Sequence, residues 1–312
     1  MLVGITGGSG FIGSALVRRH LDAGNSVRCL TRRPQIAAIP GVRLFDGDLE
    51  RPDARLVRFA DGLDLLYHCA GEVVDVGRMH AVNVEGVRAL LGAAAGRIGR
   101  WVQLSSAGVY GPTRSGLISE ADPVAPRGLY EQTKADAEAL VAEAARLGHV
   151  ASYVVLRPSI VFGTGMPNQS VVQMMRMVRR RLFFYIGSHG ASANYVHVAN
   201  VADALVLCGT SRAADGQIYN LSDWCTVEDF AGAIADALGC PRPHLRLPEW
   251  PVRRAVRVVN QIAALPLTES RVDALVNRAR YSIQRIQSDL QFSLAVPIPA
   301  GLAQMVAMGA AA

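Results

Sequence analysis

The chain has a single lysine. Its 32 basic residues comprise 31 arginines and Lys134, so an amine is kept at one position of a chain that otherwise uses the guanidinium. Aromatic residues make up only 6%. No apolar run reaches the roughly 18 residues of a membrane-spanning helix, and the longest, around 150–162, is broken by Arg157-Pro158, so no membrane partner is expected. The five cysteines, Cys29, Cys69, Cys208, Cys225 and Cys240, are scattered and never in C-x-x-C spacing. That argues for reduced thiols in a cytoplasmic protein, against a disulfide framework and for no metal. No charged leader precedes the first apolar strand, which gives no signal-peptide pattern. The net charge of +6 is dispersed; one compact cluster, Arg179 to Arg181, falls on a helix end without zinc-finger spacing or interleaved aromatics. No nucleic-acid partner is expected.

What is present is a core former, with 50% hydrophobic residues. Apolar runs at 2–6, 26–31, 42–45, 63–69, 101–105 and 151–156 read as buried strands. Stretches at 11–23, 79–95 and 129–146 carry apolar residues at three- and four-residue steps. Alternation of this kind predicts an α/β protein with a doubly wound parallel sheet covered on both faces. Residues 1–157 are assigned to this Rossmann-type domain, completed by 192–224, where 194–208 and 217–222 are expected to return to the sheet. Residues 158–191 and 225–312 are assigned to a smaller, mostly helical, discontinuous substrate domain.

The first strand runs into Thr6-Gly7-Gly8-Ser9-Gly10-Phe11-Ile12-Gly13. Glycines there let the backbone turn and approach a pyrophosphate, and the helix start offers free N–H groups. After the second strand stand Arg32 and Arg33, where an acidic residue would accept a ribose 2′-hydroxyl. Guanidinium groups favour a 2′-phosphate, so NADP(H) is preferred, with NAD(H) as the alternative and two ordinary surface arginines as the plain reading. Asp48-Leu49 follows the third strand, within reach of an adenine. Tyr130 and Lys134 lie one helical turn apart, and a fixed cation favours the phenolate of a tyrosine whose ordinary pKa is about 10. Ser106 follows the fifth strand at the ligand end of such sheets, as a substrate-orienting hydroxyl or as a turn cap. His68, His189 and His197 are read as structural.

Together, T-G-G-S-G-F-I-G, G-D-L at 47–49, H-C-A-G at 68–71, N-V-E-G at 83–86, S-S-A-G-V-Y-G, Y-E-Q-T-K, L-R-P-S-I-V-F-G-T-G and Y-V-H-V-A-N-V-A-D-A resemble the extended short-chain dehydrogenases/reductases. That group includes nucleotide-sugar epimerases, dehydratases and reductases. The resemblance implies Tyr130 as catalytic acid/base, Lys134 as its partner and ribose ligand, Ser106 with Ala107 at the substrate, and Asn83 as support for the lysine. It further implies Ala70 and Gly71 beside the cofactor, with Pro158, Ile160 and Val161 along the nicotinamide. Helices 79–95 and 129–146 would form a homodimer interface.

The chemistry implied is hydride transfer at a hydroxyl or ketone carbon of a small-molecule substrate, first a nucleotide-linked sugar. Ala193-Asn194 stand where sugar-nucleotide epimerases often carry a diphosphate-binding arginine, and Ile160 replaces a common asparagine. Asn168, Arg278 and Arg280 are the remaining candidates for that diphosphate. The alternative is an enzyme like the 3β-hydroxysteroid dehydrogenases or dihydroflavonol reductases, its apolar substrate covered by a helix at 252–265. A non-catalytic, NADP-sensing regulatory protein is the alternative of another class.

Overall fold

Runs dense in Val, Leu and Ile become strands here, and the glycines and aspartates between them become turns and caps. The computed structural model describes residues 1–32, 40–112, 115–259 and 268–309. In chain order the first half comprises β1 (Leu2–Thr6), α1 (Phe11–Asp22), β2 (Ser26–Thr31), β3 (Val42–Asp46), α2 (Ala54–Ala60), β4 (Leu63–His68), α3 (Val76–His80), α4 (Gly86–Ala94), β5 (Ile98–Leu104), β6 (Ser115–Ile118), α5 (Leu129–Arg146) and β7 (Tyr153–Pro158). The second comprises β8 (Ile160–Phe162), α6 (Ser170–Arg179), β9 (Tyr185–Ile186), β10 (Ser192–His197), α7 (Val198–Thr210), β11 (Ile218–Leu221), β12 (Asp223–Thr226), α8 (Val227–Leu238), β13 (Arg246–Leu247), α9 (Glu249–Val259), α10 (Glu269–Val276), β14 (Arg278–Tyr281), α11 (Gln284–Leu290) and α12 (Ile298–Ala307).

Seven parallel strands form the main sheet in the order β11-β7-β5-β4-β1-β2-β3. Chain direction across the sheet reverses between β1 and β4, which opens a crevice at their carboxyl ends. One face packs α1 and α7 through Leu16, Val17, Val201 and Leu205. The other packs α2, α4 and α5 through Phe59, Leu90, Trp101 and Val141. This is the doubly wound α/β fold read from the sequence.

Two expectations change. The strand at 194–208 does not join the main sheet: β10 pairs parallel with β8 and antiparallel with β12 in a separate three-stranded sheet, and only β11 returns. That small sheet carries α6, α8 and α12 on a second core around Phe162, Met175, Phe230 and Leu302. The single helix expected at 79–95 is α3 and α4 joined by one π-helical turn, Ala81–Glu85. Such a turn holds an extra residue and rotates the side chains within it, here Asn83. The short pairs β6–β14 and β9–β13 escape sequence reading because each is too brief to show a period. Among the described residues no helix is long and apolar enough to cross a membrane.

Candidate active site

The crevice begins where β1 meets β4. Gly7 has φ +70°, and a Cβ there would lie 2.8 Å from the Ala70 nitrogen, so only glycine lets the two strand ends approach. Gly10 donates its N–H to the Gly7 carbonyl at 2.9 Å and begins α1 without a side-chain cap. The first turn of α1 contains no acidic residue. Phe11, Ile12 and Gly13 therefore open a helix whose N–H groups and dipole suit a phosphate. A Cβ on Gly13 would overlap the Gly7 carbonyl, so this glycine serves packing between loop and helix. The residues present fit a dinucleotide. Thr6 Oγ1 shares a hydrogen bond with His68 Nδ1 at 3.0 Å and accepts the Ala70 N–H at 3.2 Å, which fixes the floor of the crevice. Buried and stacked on Trp101 with ring centroids 5.6 Å apart, His68 is pushed down to about 3 by desolvation and is a neutral structural residue.

Arg32 is exposed just beyond β2 and lies near the Glu50 carboxylate, whose pKa it helps to lower. Arg33 lies outside the described residues. Asp48 caps its own turn, accepting the Glu50 N–H at 3.0 Å, and Leu49 is buried against Gly86. Pro158 is buried at the end of β7; Ile160 is 43% exposed and Val161 is half-buried on β8.

On α5, Tyr130 and Lys134 face the strand ends as their spacing requires. Lys134 is 6% exposed and donates its Nζ to the Leu104 carbonyl at 2.8 Å, with the Tyr130 ring centroid 6.0 Å away. Burial brings the lysine down to about 8, opposed by Cys69 and Glu138. The phenol behaves differently from the sequence expectation: burial pushes it up to about 12, Glu131 adds to the rise, and the hydrogen bond with Ser106 is what lowers it. Ser106 also starts the 3-10 turn Ala107–Tyr110 by accepting the Gly108 N–H at 3.1 Å, so its cap and site roles coexist. Ala107 is buried beneath it.

Asn83, presented by the π turn, accepts the Glu72 N–H at 2.7 Å. Its Nδ2 donates to the Glu72 carbonyl at 2.9 Å and to Thr133 Oγ1 at 3.1 Å. Its amide clamps the loop after Gly71 to α5, and a Cβ built on Gly71 would sit 3.4 Å from Asn83 Oδ1 and 3.7 Å from Lys134 Nζ.

Each of the three expected diphosphate ligands has a partner within the protein. Asn168 Oδ1 accepts the Ser170 N–H at 2.9 Å; Arg278 donates to the His189 carbonyl at 2.6 Å; Arg280 stacks 4.7 Å over Trp224. Sequence reading also missed a buried set around Glu138, Arg157 and Tyr110. The available signals were Glu138 repeating the four-residue step from Lys134 and a charge inside the apolar strand β7.

Residues 3–222 match the model of the NAD dependent epimerase/dehydratase family. Among curated relatives, a 4-hydroxy-2-methyl-3-oxo-4-farnesyl-3,4-dihydroquinoline-1-oxide ketoreductase of Stigmatella aurantiaca is 29% identical, covering 87% of this chain and 83% of its own length. A 3 beta-hydroxysteroid dehydrogenase/Delta 5-->4-isomerase of Mycobacterium tuberculosis is 28% identical, covering 78% of this chain and 71% of its own. In structure, UDP-glucuronic acid 4-epimerase of Bacillus cereus in complex with NAD superposes with a TM-score of 0.76 over 97% of both chains; at 18% identity it speaks for the fold.

Proposed function

Because the chain belongs to the NAD-dependent epimerase/dehydratase family of extended short-chain dehydrogenases/reductases, we propose that it interconverts a ketone and a secondary alcohol on an apolar substrate. Tyr130 is the proton donor in this reading. The observation that carries it is the Tyr130 ring 6.0 Å from the Nζ of the buried Lys134, one helical turn on along α5. A reduced nicotinamide, held at the Gly7–Gly13 turn and by Lys134, would supply the hydride. Tyr130 gives its proton to the carbonyl oxygen as charge develops there, and the Ser106 hydroxyl donates a hydrogen bond to the same oxygen. Lys134 then stabilises the phenolate left behind and holds ribose hydroxyls. Arg32 is the residue that would favour a 2′-phosphate, and hence NADP(H).

Two features support an apolar substrate over a sugar nucleotide. Asn168, Arg278 and Arg280 each have a partner within the protein. Val73 and Val74, 55% and 81% exposed, follow Gly71 on the loop clamped by Asn83, and Val76, 65% exposed, begins α3, so the chain just after Gly71 presents apolar side chains to solvent. The names of the two curated relatives agree with it. A nucleotide-linked sugar remains the second reading, since Arg280, stacked on Trp224, is an exposed residue. Nicotinamide absorbance followed with NADPH and β-keto esters and with NADP+ and a 3β-hydroxysteroid, beside chromatography of UDP-glucose for its epimer or oxidised product, separates them. Turnover of the apolar compounds supports the first reading, and turnover of UDP-glucose alone replaces it. The homodimer expected through α4 and α5 would bury the exposed Arg88, Asp136 and Glu143 of these helices; a monomer by sedimentation at moderate salt would rule it out.

A further inference from the structure

The chemistry above does not use the ion pair of Glu138 and Arg157, whose side chains are only 9% and 5% exposed. A buried pair of this kind is often no more stabilising than apolar residues of the same volume, so its stability alone does not account for it. Its connections do. Glu138 follows Tyr130 and Lys134 at successive four-residue steps along one face of α5. One of its oxygens accepts the Ser105 hydroxyl and Arg157 Nε at 3.0 Å, and the other accepts Arg157 Nη2 at 2.5 Å. Ser105 lies between Leu104, whose carbonyl holds Lys134 Nζ, and Ser106, whose hydroxyl meets Tyr130. Arg157 reaches on to Tyr110 Oη at 2.8 Å, at the end of the turn that Ser106 begins, and Tyr110 donates to Asn220 at 2.8 Å. The strand end and the turn after it are thus both fastened to α5 from below.

We propose that Glu138 is a positioning residue for the reaction: through Ser105 it holds the Leu104 carbonyl and Ser106 hydroxyl in register with α5, and its carboxylate stands one helical turn beyond Lys134 on the same face. This rests on Tyr130 and Lys134 being the proton-transfer pair. The groups facing Lys134 are Tyr130 and Glu138 from α5 and His68 and Cys69 from the end of β4, with Arg157 behind Glu138. His68 is neutral and the Cys69 thiol is pushed up to about 12, so Glu138 is the anion that acts on the amine at neutral pH.

A chain with one lysine gives one side-chain signal when grown with 13Cε-lysine, and its titration reads the site without any substrate. The wild-type midpoint is expected near 8. In Glu138→Gln it should fall by about one unit, because the attraction is lost and Arg157 is left unpaired. The double variant Glu138→Leu/Arg157→Met leaves no uncompensated charge and guards against a single variant that does not fold; its midpoint should fall as well. Ser105→Ala keeps both charges, so its midpoint should stay at the wild-type value while kcat for ketone reduction drops about tenfold at unchanged KM and NADPH affinity. An unmoved midpoint in the folded charge variants, or wild-type kcat in Ser105→Ala, overturns the proposal. Tyr130→Phe reports on the underlying reading separately: normal turnover there removes the proton-transfer pair, whereas the lysine midpoint still answers for Glu138.

Discussion

Replacing Lys134 with arginine keeps the charge and changes everything else about the group. The amine reaches the Leu104 carbonyl at 2.8 Å from a nearly closed position, and a planar fork would need room that the end of β4 occupies. Lys134→Arg is expected to fold, to bind NADPH, and to lose at least about a hundredfold in kcat, within the range for a group assisting proton transfer; stopped-flow reduction checks it. The same residue has a pH signature. Its pKa is near 8 in the folded protein against 10.5 for the free side chain, so between those values the unfolded chain binds more protons. Stability contributed by this site therefore rises as pH increases from about 8, until Tyr130, whose pKa is raised, begins to oppose it above 10. His68 acts at the other end: held near 3 against an ordinary 6.5, it costs stability as pH falls below 6.5. Urea melts at pH 7 and pH 5 should differ by roughly 1–2 kcal/mol, and His68→Asn should reduce that difference.

Between α5 and β7 the buried pair makes a second test available at the level of packing. Arg157→Met alone leaves Glu138 charged and largely unpaired, which should cost about 3–5 kcal/mol, while the double replacement with Glu138→Leu should recover most of it; thermal unfolding of the three proteins decides. In the loop after β4, Asn83→Ala removes the clamp on Glu72 and Thr133, and NADPH affinity should fall about tenfold as the Gly71 backbone loosens. These elements were unevenly legible. Gly7 to Gly13 and the Tyr130-Lys134 step were readable because their roles are set by local geometry, a turn and one helical repeat. The π turn at Asn83 and the partners of Glu138 were not, since they depend on contacts between residues far apart in sequence, such as Ser105 with Glu138 and Asn83 with Glu72. The direction of the Tyr130 shift failed to show for a related reason: a sequence shows the cation nearby but not how dry the phenol is.

Across the whole molecule, the Rossmann sheet and the smaller sheet of β8, β10 and β12 meet through Pro158 and Ser159, where β7 passes directly into β8. That places the proposed nicotinamide wall on the covalent bridge between two cores. Saturation with NADPH at a hundred times its dissociation constant should add about 2.7 kcal/mol to stability, read as a rise in Tm, and NADH at the same concentration should add less if Arg32 selects the phosphate. An equal rise with both nucleotides, or an Arg32→Ala variant unchanged toward NADPH, would contradict that selection. The sealed lysine has a practical corollary as well. Apart from the chain's amino terminus, no other amine exists to react with an acylating dye, a crosslinker or a resin, and Lys134 is 6% exposed. Amine-directed labelling under native conditions should therefore give a single, uniform attachment point and leave the site unmodified, whereas unfolding would reveal a second equivalent.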